Sequence, residues 1–116
     1  MAEKWSINIR REHDGQITFT PDVPGAGKGQ PLGVNAGDNV TWNNHTDQEI
    51  ILKTIYPKDK DVFLCDPIPA GDVRNPQFDV TVSNPQFHVT ETVGYYWVRQ
   101  HAPQPTQPDA WILVVP

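Results

Sequence analysis

Apolar and polar positions alternate in short runs along this chain, and glycine, proline and asparagine separate the runs. Trp5-Ser6-Ile7-Asn8-Ile9-Arg10 alternates as a half-buried strand does, because successive side chains of a strand leave opposite faces. His13-Asp14-Gly15-Gln16 reads as a turn, and Ile17-Thr18-Phe19-Thr20 as the strand that returns from it. Leu32–Asn35 is followed by the turn Ala36-Gly37-Asp38, which opens the strand Asn39–Asn43 with Val40 and Trp42 on one face. Glu49–Tyr56 carries Ile50, Ile51, Leu52 and Ile55, enough apolar surface to be covered on both sides. Tyr95–Arg99 and Trp111–Val115 predict two closing strands, joined by the proline-rich loop Ala102–Pro108.

Two segments break this regularity. Pro21–Pro31 carries Gly25, Gly27 and Gly29, but no Gly-Lys-Ser/Thr ending or strand-to-helix context follows, so it reads as a flexible connection and not a phosphate cradle. Pro57–Asp72 is the least regular stretch; Lys58 to Asp61 read as solvated, and Val62-Phe63-Leu64 as a short strand or a plug beneath the loop. Asn75-Pro76-Gln77-Phe78 recurs as Asn84-Pro85-Gln86-Phe87, each copy opening an alternating run, Phe78–Val82 and Phe87–Glu91. Two copies are too few for a repeat architecture and read as consecutive strands, since a proline can begin a strand without losing a ladder bond. The total is about eight strands, the profile of an all-β Greek-key sandwich or barrel.

Composition narrows the partners. The 116 residues suffice for one domain, 1–116, with a core that needs no disulfide. A net charge of −5 disfavours nucleic acid and anionic membranes, which need clustered Lys and Arg; Arg10-Arg11 is the one basic pair. No apolar run approaches a membrane span. Met1–Trp5 lacks the charged and apolar regions of an export signal, which leaves open a cytosolic protein or a chain that starts at a mature terminus.

Catalytic constellations are not evident. Ser6 and Ser83 lie in no Gly-x-Ser-x-Gly elbow, and Cys65 is followed by Asp66, whose charge opposes a thiolate. Asp59, Asp61, Asp66 and Asp72 sit beside Lys58, Lys60 and Arg74 and read as loop-solvating charges, so no enzyme is expected. His13 and His88 read as exposed.

Gly37-Asp38-Asn39-Val40-Thr41-Trp42-Asn43-Asn44, with Gly94-Tyr95-Tyr96-Trp97-Val98-Arg99-Gln100-His101 and the closing Trp111–Val115, resembles the cupredoxin family, the blue-copper fold. The resemblance covers about two-thirds of the chain and implies a Greek-key β-sandwich. It also implies that the copper-ligand cysteine is missing. If His101 matches the second ligand histidine, the cysteine position is Val98; if Gly94 and Tyr96 set the register, it is Gln100, with Pro103 in place of the histidine. The expected first histidine falls at Glu49, and Met1 is the only methionine, so no axial thioether follows. Type 1 copper is therefore not expected, because that site needs two imidazoles and a thiolate.

Two functional expectations follow from the resemblance. In the first, the chain is a binding or assembly module without blue copper. Tyr95, Trp97 and Arg99 would face outward beside Pro103 and Pro105 of the loop that replaces a copper-binding loop, while Tyr96 and Val98 turn inward. Partner binding or self-association would use that face, unless a neighbouring strand, the N-terminal segment or the Pro57–Asp72 loop covers it. In the second, Glu49, His101 and His45 converge at the former copper end into a non-blue site for Cu(II) or Zn, used in metal handling or redox chemistry. The alternatives for these residues are a turn at His45, a solvated strand start at Glu49 and a loop anchor at His101. The family is mostly exported, which implies a periplasmic setting if the chain begins at a mature terminus.

Overall fold

Eight strands and no helix form among the described residues of the computed structural model, which describes residues 2–57, 62–71 and 85–115. The strands are β1 (Lys4–Arg11), β2 (Ile17–Pro21), β3 (Leu32–Val34), β4 (Asn39–Asn44), β5 (Leu52–Tyr56), β6 (Gln86–His88), β7 (Val93–Trp97) and β8 (Ala110–Val114). One sheet has the order β2-β1-β4-β6 and the other β3-β8-β7-β5. Both are mixed: β1 runs parallel to β4 and β3 parallel to β8, while the remaining neighbours are antiparallel. A parallel pair cannot be closed by a tight hairpin. The chain meets this by changing sheets between β2 and β3, returning at Asn35–Asp38, and crossing again after β4.

Alternation decides which side chains meet. Ile7 and Ile9 of β1, Phe19 of β2 and Val40 and Trp42 of β4 leave the same face of the first sheet and are buried. Leu52, Tyr95 and Ile112 of the second sheet join them in one apolar cluster. Tyr95 holds the two sheets together at the centre. Phe19 meets its ring edge-on with centroids 5.4 Å apart, Trp42 does so at 5.7 Å, and the Trp42 indole N–H donates to the Tyr95 hydroxyl at 3.2 Å. Edge-on aromatic pairs of this kind add about 0.5–1.5 kcal/mol each beyond the area they bury.

Asp38 closes the corner between β3 and β4. Gly37 adopts φ 98°, a conformation open to glycine without steric cost, and this turns the Asp38 side chain inward. Its carboxylate accepts from the Glu3 and Asn35 backbone N–H groups and from the Trp5 indole at 2.9–3.0 Å, fastening the start of β1 to the corner. Asn44, at the end of β4, is fully buried. It donates to the Gln48 and Pro69 carbonyls and accepts from the Thr46 N–H and hydroxyl, so the β4–β5 connection is held from within.

Several expected boundaries change. The strand expected over Glu49–Tyr56 is regular only from Leu52; Ile50 makes an isolated bridge to Ile68 instead. The outer edge of β5 is paired by the following segment, through the Thr54 N–H to the Val62 carbonyl and the Leu64 N–H to the Leu52 carbonyl. Leu64 fills the core as the expected plug, while Phe63 stays outside with the Lys53 ammonium 5.2 Å from its ring centroid. The run expected over Phe87–Glu91 narrows to β6, whose His88 is exposed and bonded to Asn39. Asn75–Val82, Ser83 and the acidic positions 59, 61 and 72 lie outside the described residues.

Candidate functional site

The β7–β8 connection spans residues 98–109, and one acid organises it. The Asp109 N–H donates to the Tyr95 carbonyl, so the connection re-enters the sheet beside β7. The Asp109 Oδ2 accepts from the Trp97 backbone N–H at 3.0 Å and from Arg99 Nη1 at 3.2 Å, and its Oδ1 accepts from Arg99 Nη2 at 3.2 Å. Arg99 Nη1 also reaches the Trp97 carbonyl, and the guanidinium lies 4.6 Å from the centre of the Trp97 ring. A planar guanidinium held by two parallel bonds and a ring face keeps little rotamer freedom. Trp97, Arg99 and Asp109 are therefore one preassembled unit.

Two recesses share the Trp97–Arg99 wall. The larger, about 620 Å³, lies between the β1–β2 turn, β2, the loop at Lys28-Gly29, and Trp97, Arg99, Pro108 and Asp109. The smaller, about 260 Å³, is a groove formed with Lys53, Val98, Ala102, Pro103 and Pro105. On the larger recess Lys28 pairs with Glu12 at 2.8 Å, and this hydrogen bond is the main reason the Glu12 carboxyl titrates below its usual range. The indole N–H of Trp97 is buried and meets no acceptor among the described residues. A buried donor left unpaired is unusual in a folded protein.

Four of the five residues expected on a partner face are thus neighbours: Trp97, Arg99, Pro103 and Pro105 line the smaller groove. Tyr95 is the correction. It is fully buried, its hydroxyl is bonded inside the core, and burial pushes its phenol pKa up. The strand begins at Val93 and not at Tyr95, and its inward side is Val93, Tyr95 and Trp97. Val98 is correspondingly exposed, not inward. Tyr96 leaves the opposite face from Tyr95 and is still only 5 % exposed, at the bottom of the proline-walled groove. Gly94 shares that face and admits Pro108, which packs where a side chain would stand.

The alternative metal set is not assembled. The His45 Nε2 lies 3.1 Å from the Asn8 Oδ1, an oxygen that also accepts from the Asn43 amide, so the ring is a donor in a polar cluster on the first sheet. Glu49 is exposed on the β4–β5 connection, and His101 is exposed in a turn with φ 61°. Among the described residues no three of His, Cys, Asp and Glu come together as a metal-binding group. Cys65 also fails the test for a copper thiolate. It is half-buried against the core, and burial, with Asp66 adding to it, pushes the thiol up to about 12. The residues present do not fit the type 1 site that the family resemblance would require.

Of the two residues that shape the site most, Gly94 stands in the sequence only as a position of the family-like motif, and Asp109 stands in no motif. Asp109 had one legible signal: an acid placed after Pro108 and immediately before an apolar strand, where loop carboxylates commonly hold backbone donors. Among known protein-family models and curated proteins, the chain matches none.

Proposed function

We propose that this chain is a Greek-key β-sandwich of the cupredoxin-like type without blue copper, working as a non-catalytic binding or assembly module. Support for the fold comes from the two mixed sheets around a shared core, with β1 parallel to β4 and β3 parallel to β8. The single observation that carries the function is the groove in which Trp97, Arg99, Pro103 and Pro105 meet beside exposed Val98. Trp and Arg are the side chains most enriched at binding hot spots. Here both are immobilised before any partner arrives, and the prolines restrict the loop further. Contacts to this surface therefore lose little conformational entropy.

The test is a photo-cross-linker placed at Pro103, with Thr41 on the outside of the first sheet as the control position. The expected result is a defined cross-linked species, either the dimer or a second protein, that is absent from Thr41. Val98→Glu should weaken it by about tenfold or more, because an unpaired carboxylate would be buried in the contact. Equal labelling from Pro103 and Thr41, or labelling indifferent to Val98→Glu, would end the module reading.

A further inference from the structure

The larger recess lies along an open strand edge, which carries an inference separate from the proline-walled groove. β2 is the outermost strand of its sheet, with β1 on one side only. The Glu12 N–H donates to the Gln16 carbonyl and the Asp22 N–H to the Ser6 carbonyl, so the even positions of β2 bond to β1. In an antiparallel ladder the intervening odd positions then direct their N–H and C=O groups away from β1. Gly29 marks that outer side, because its N–H donates to the Phe19 carbonyl. Gly29, Ile17 and Phe19 all line the recess. The Ile17 and Phe19 side chains are turned into the core, so β2 presents main chain there. The Ile17 N–H and C=O and the Phe19 N–H have no partner among the described residues. Pro21, the next odd position, has no N–H and ends the open edge.

An unpaired strand edge is a template for another extended chain, whose acceptors and donors meet it in register. Charge then selects among such chains. Glu12, Asp14 and Asp109 surround the recess with Lys28 and Arg99, an excess of one anion. Lys28 is paired with Glu12 and Arg99 with Asp109. Asp14 is left, and among the described residues its carboxylate is engaged by the Gln16 N–H alone. We infer that the outer edge of β2 binds a short extended peptide segment carrying Lys or Arg, added to the four-stranded sheet as a further strand. Its main chain pairs with Ile17 and Phe19, and a basic side chain reaches Asp14. Side chains of a strand alternate, so a neighbouring apolar one turns across the recess toward Trp97 and Pro108. Arg99 and Asp109, already fixed against each other, hold that far wall in place.

The experiment follows the backbone amide signals of the full ¹⁵N-labelled chain. The probe is a five-residue peptide of alternating valine and lysine, blocked at both ends. In the free protein the Ile17 and Phe19 amides should exchange with solvent faster than those of Thr18 and Thr20, which are bonded to β1. The peptide should move the Ile17 and Phe19 signals downfield and saturate, with a dissociation constant on the order of 1 mM. At about ten times that concentration their exchange should slow by about tenfold, since only about one site in eleven stays free. Asp14→Asn, which keeps an acceptor for the Gln16 N–H, should weaken binding by about two- to fivefold, the worth of one exposed ion pair. Val98→Glu should leave binding unchanged, which separates this edge from the groove. The inference is overturned if the peptide leaves the Ile17 and Phe19 signals in place, or if blocked lysine at the same lysine concentration shifts them equally. It is also overturned if a peptide with glutamate for lysine binds as well, or if the two signals move with protein concentration alone, which would assign the edge to a second copy.

Discussion

Gly94→Ala is the sharpest probe of how the β7–β8 connection is seated. Gly94 lies mid-strand on the face opposite Tyr95, in backbone geometry open to any residue, so alanine there meets no conformational penalty. On chain entropy alone the substitution should stabilise the protein by about 0.4–1 kcal/mol, since alanine restricts the unfolded chain more than glycine does. The packing opposes this. A methyl group at position 94 would lie 2.6 Å from Pro108 Cγ, 3.1 Å from Pro108 Cβ and 3.1 Å from Trp111 Cζ3. Relieving an overpacked contact of that kind costs about 1–3 kcal/mol, so a net loss of about 1–2 kcal/mol is expected. For a domain of 116 residues this is a fall in melting temperature of about 4–8 °C. The assay is urea unfolding of a double-mutant cycle with Pro108→Ala, which removes the closest atom. In that background the cost of Gly94→Ala should drop by about 1 kcal/mol, a coupling typical of residues in direct contact. A Gly94→Ala protein as stable as the parent, or additive effects in the cycle, would refute the placement of Pro108 over Gly94.

Two further outcomes follow from the buried polar groups. The Glu3 N–H first, then the Trp5 indole and the Asn35 N–H, hold the Asp38 carboxyl below its ordinary range, so its contribution is complete above the unfolded-chain value of about 3.9 and is lost as pH falls through the lower folded value. Urea midpoints should accordingly decline from about pH 4 downward, and Asp38→Asn should lower the midpoint at neutral pH while flattening that acid limb; an unchanged acid limb would exclude Asp38 as its source. The Cys65 thiol, pushed up to about 12 by burial, should resist alkylation by iodoacetamide at about pH 8 in the native protein and react on unfolding; rapid native-state modification would contradict its placement.

Much of the architecture was legible because strand alternation reports directly on burial. Ile7 and Ile9, Ile17 and Phe19, and Val40 and Trp42 are apolar positions separated by polar ones, and each pair faces the core. Gly37-Asp38 was legible as a corner for the same local reason, a residue type that tolerates positive φ followed by a carboxylate able to hold backbone donors. In β7 the same rule had nothing to distinguish. Val93, Tyr95 and Trp97 are apolar, but so are Tyr96 and Val98 on the other side, and a one-residue choice of parity exchanges the whole set.

What the sequence determined by itself was therefore the all-β class, most of the strands among the described residues, and the inward faces of those with a polar side. These depend on neighbours within a few residues and on residue identity. Tertiary structure alone decided that Tyr95 belongs to the core, that His45, Glu49 and His101 do not gather as a metal set, and that Asp109 locks Arg99 onto Trp97. Those outcomes rest on contacts across long loops and between two sheets. Their energies come from which surfaces meet, and no periodicity along a single strand records that meeting.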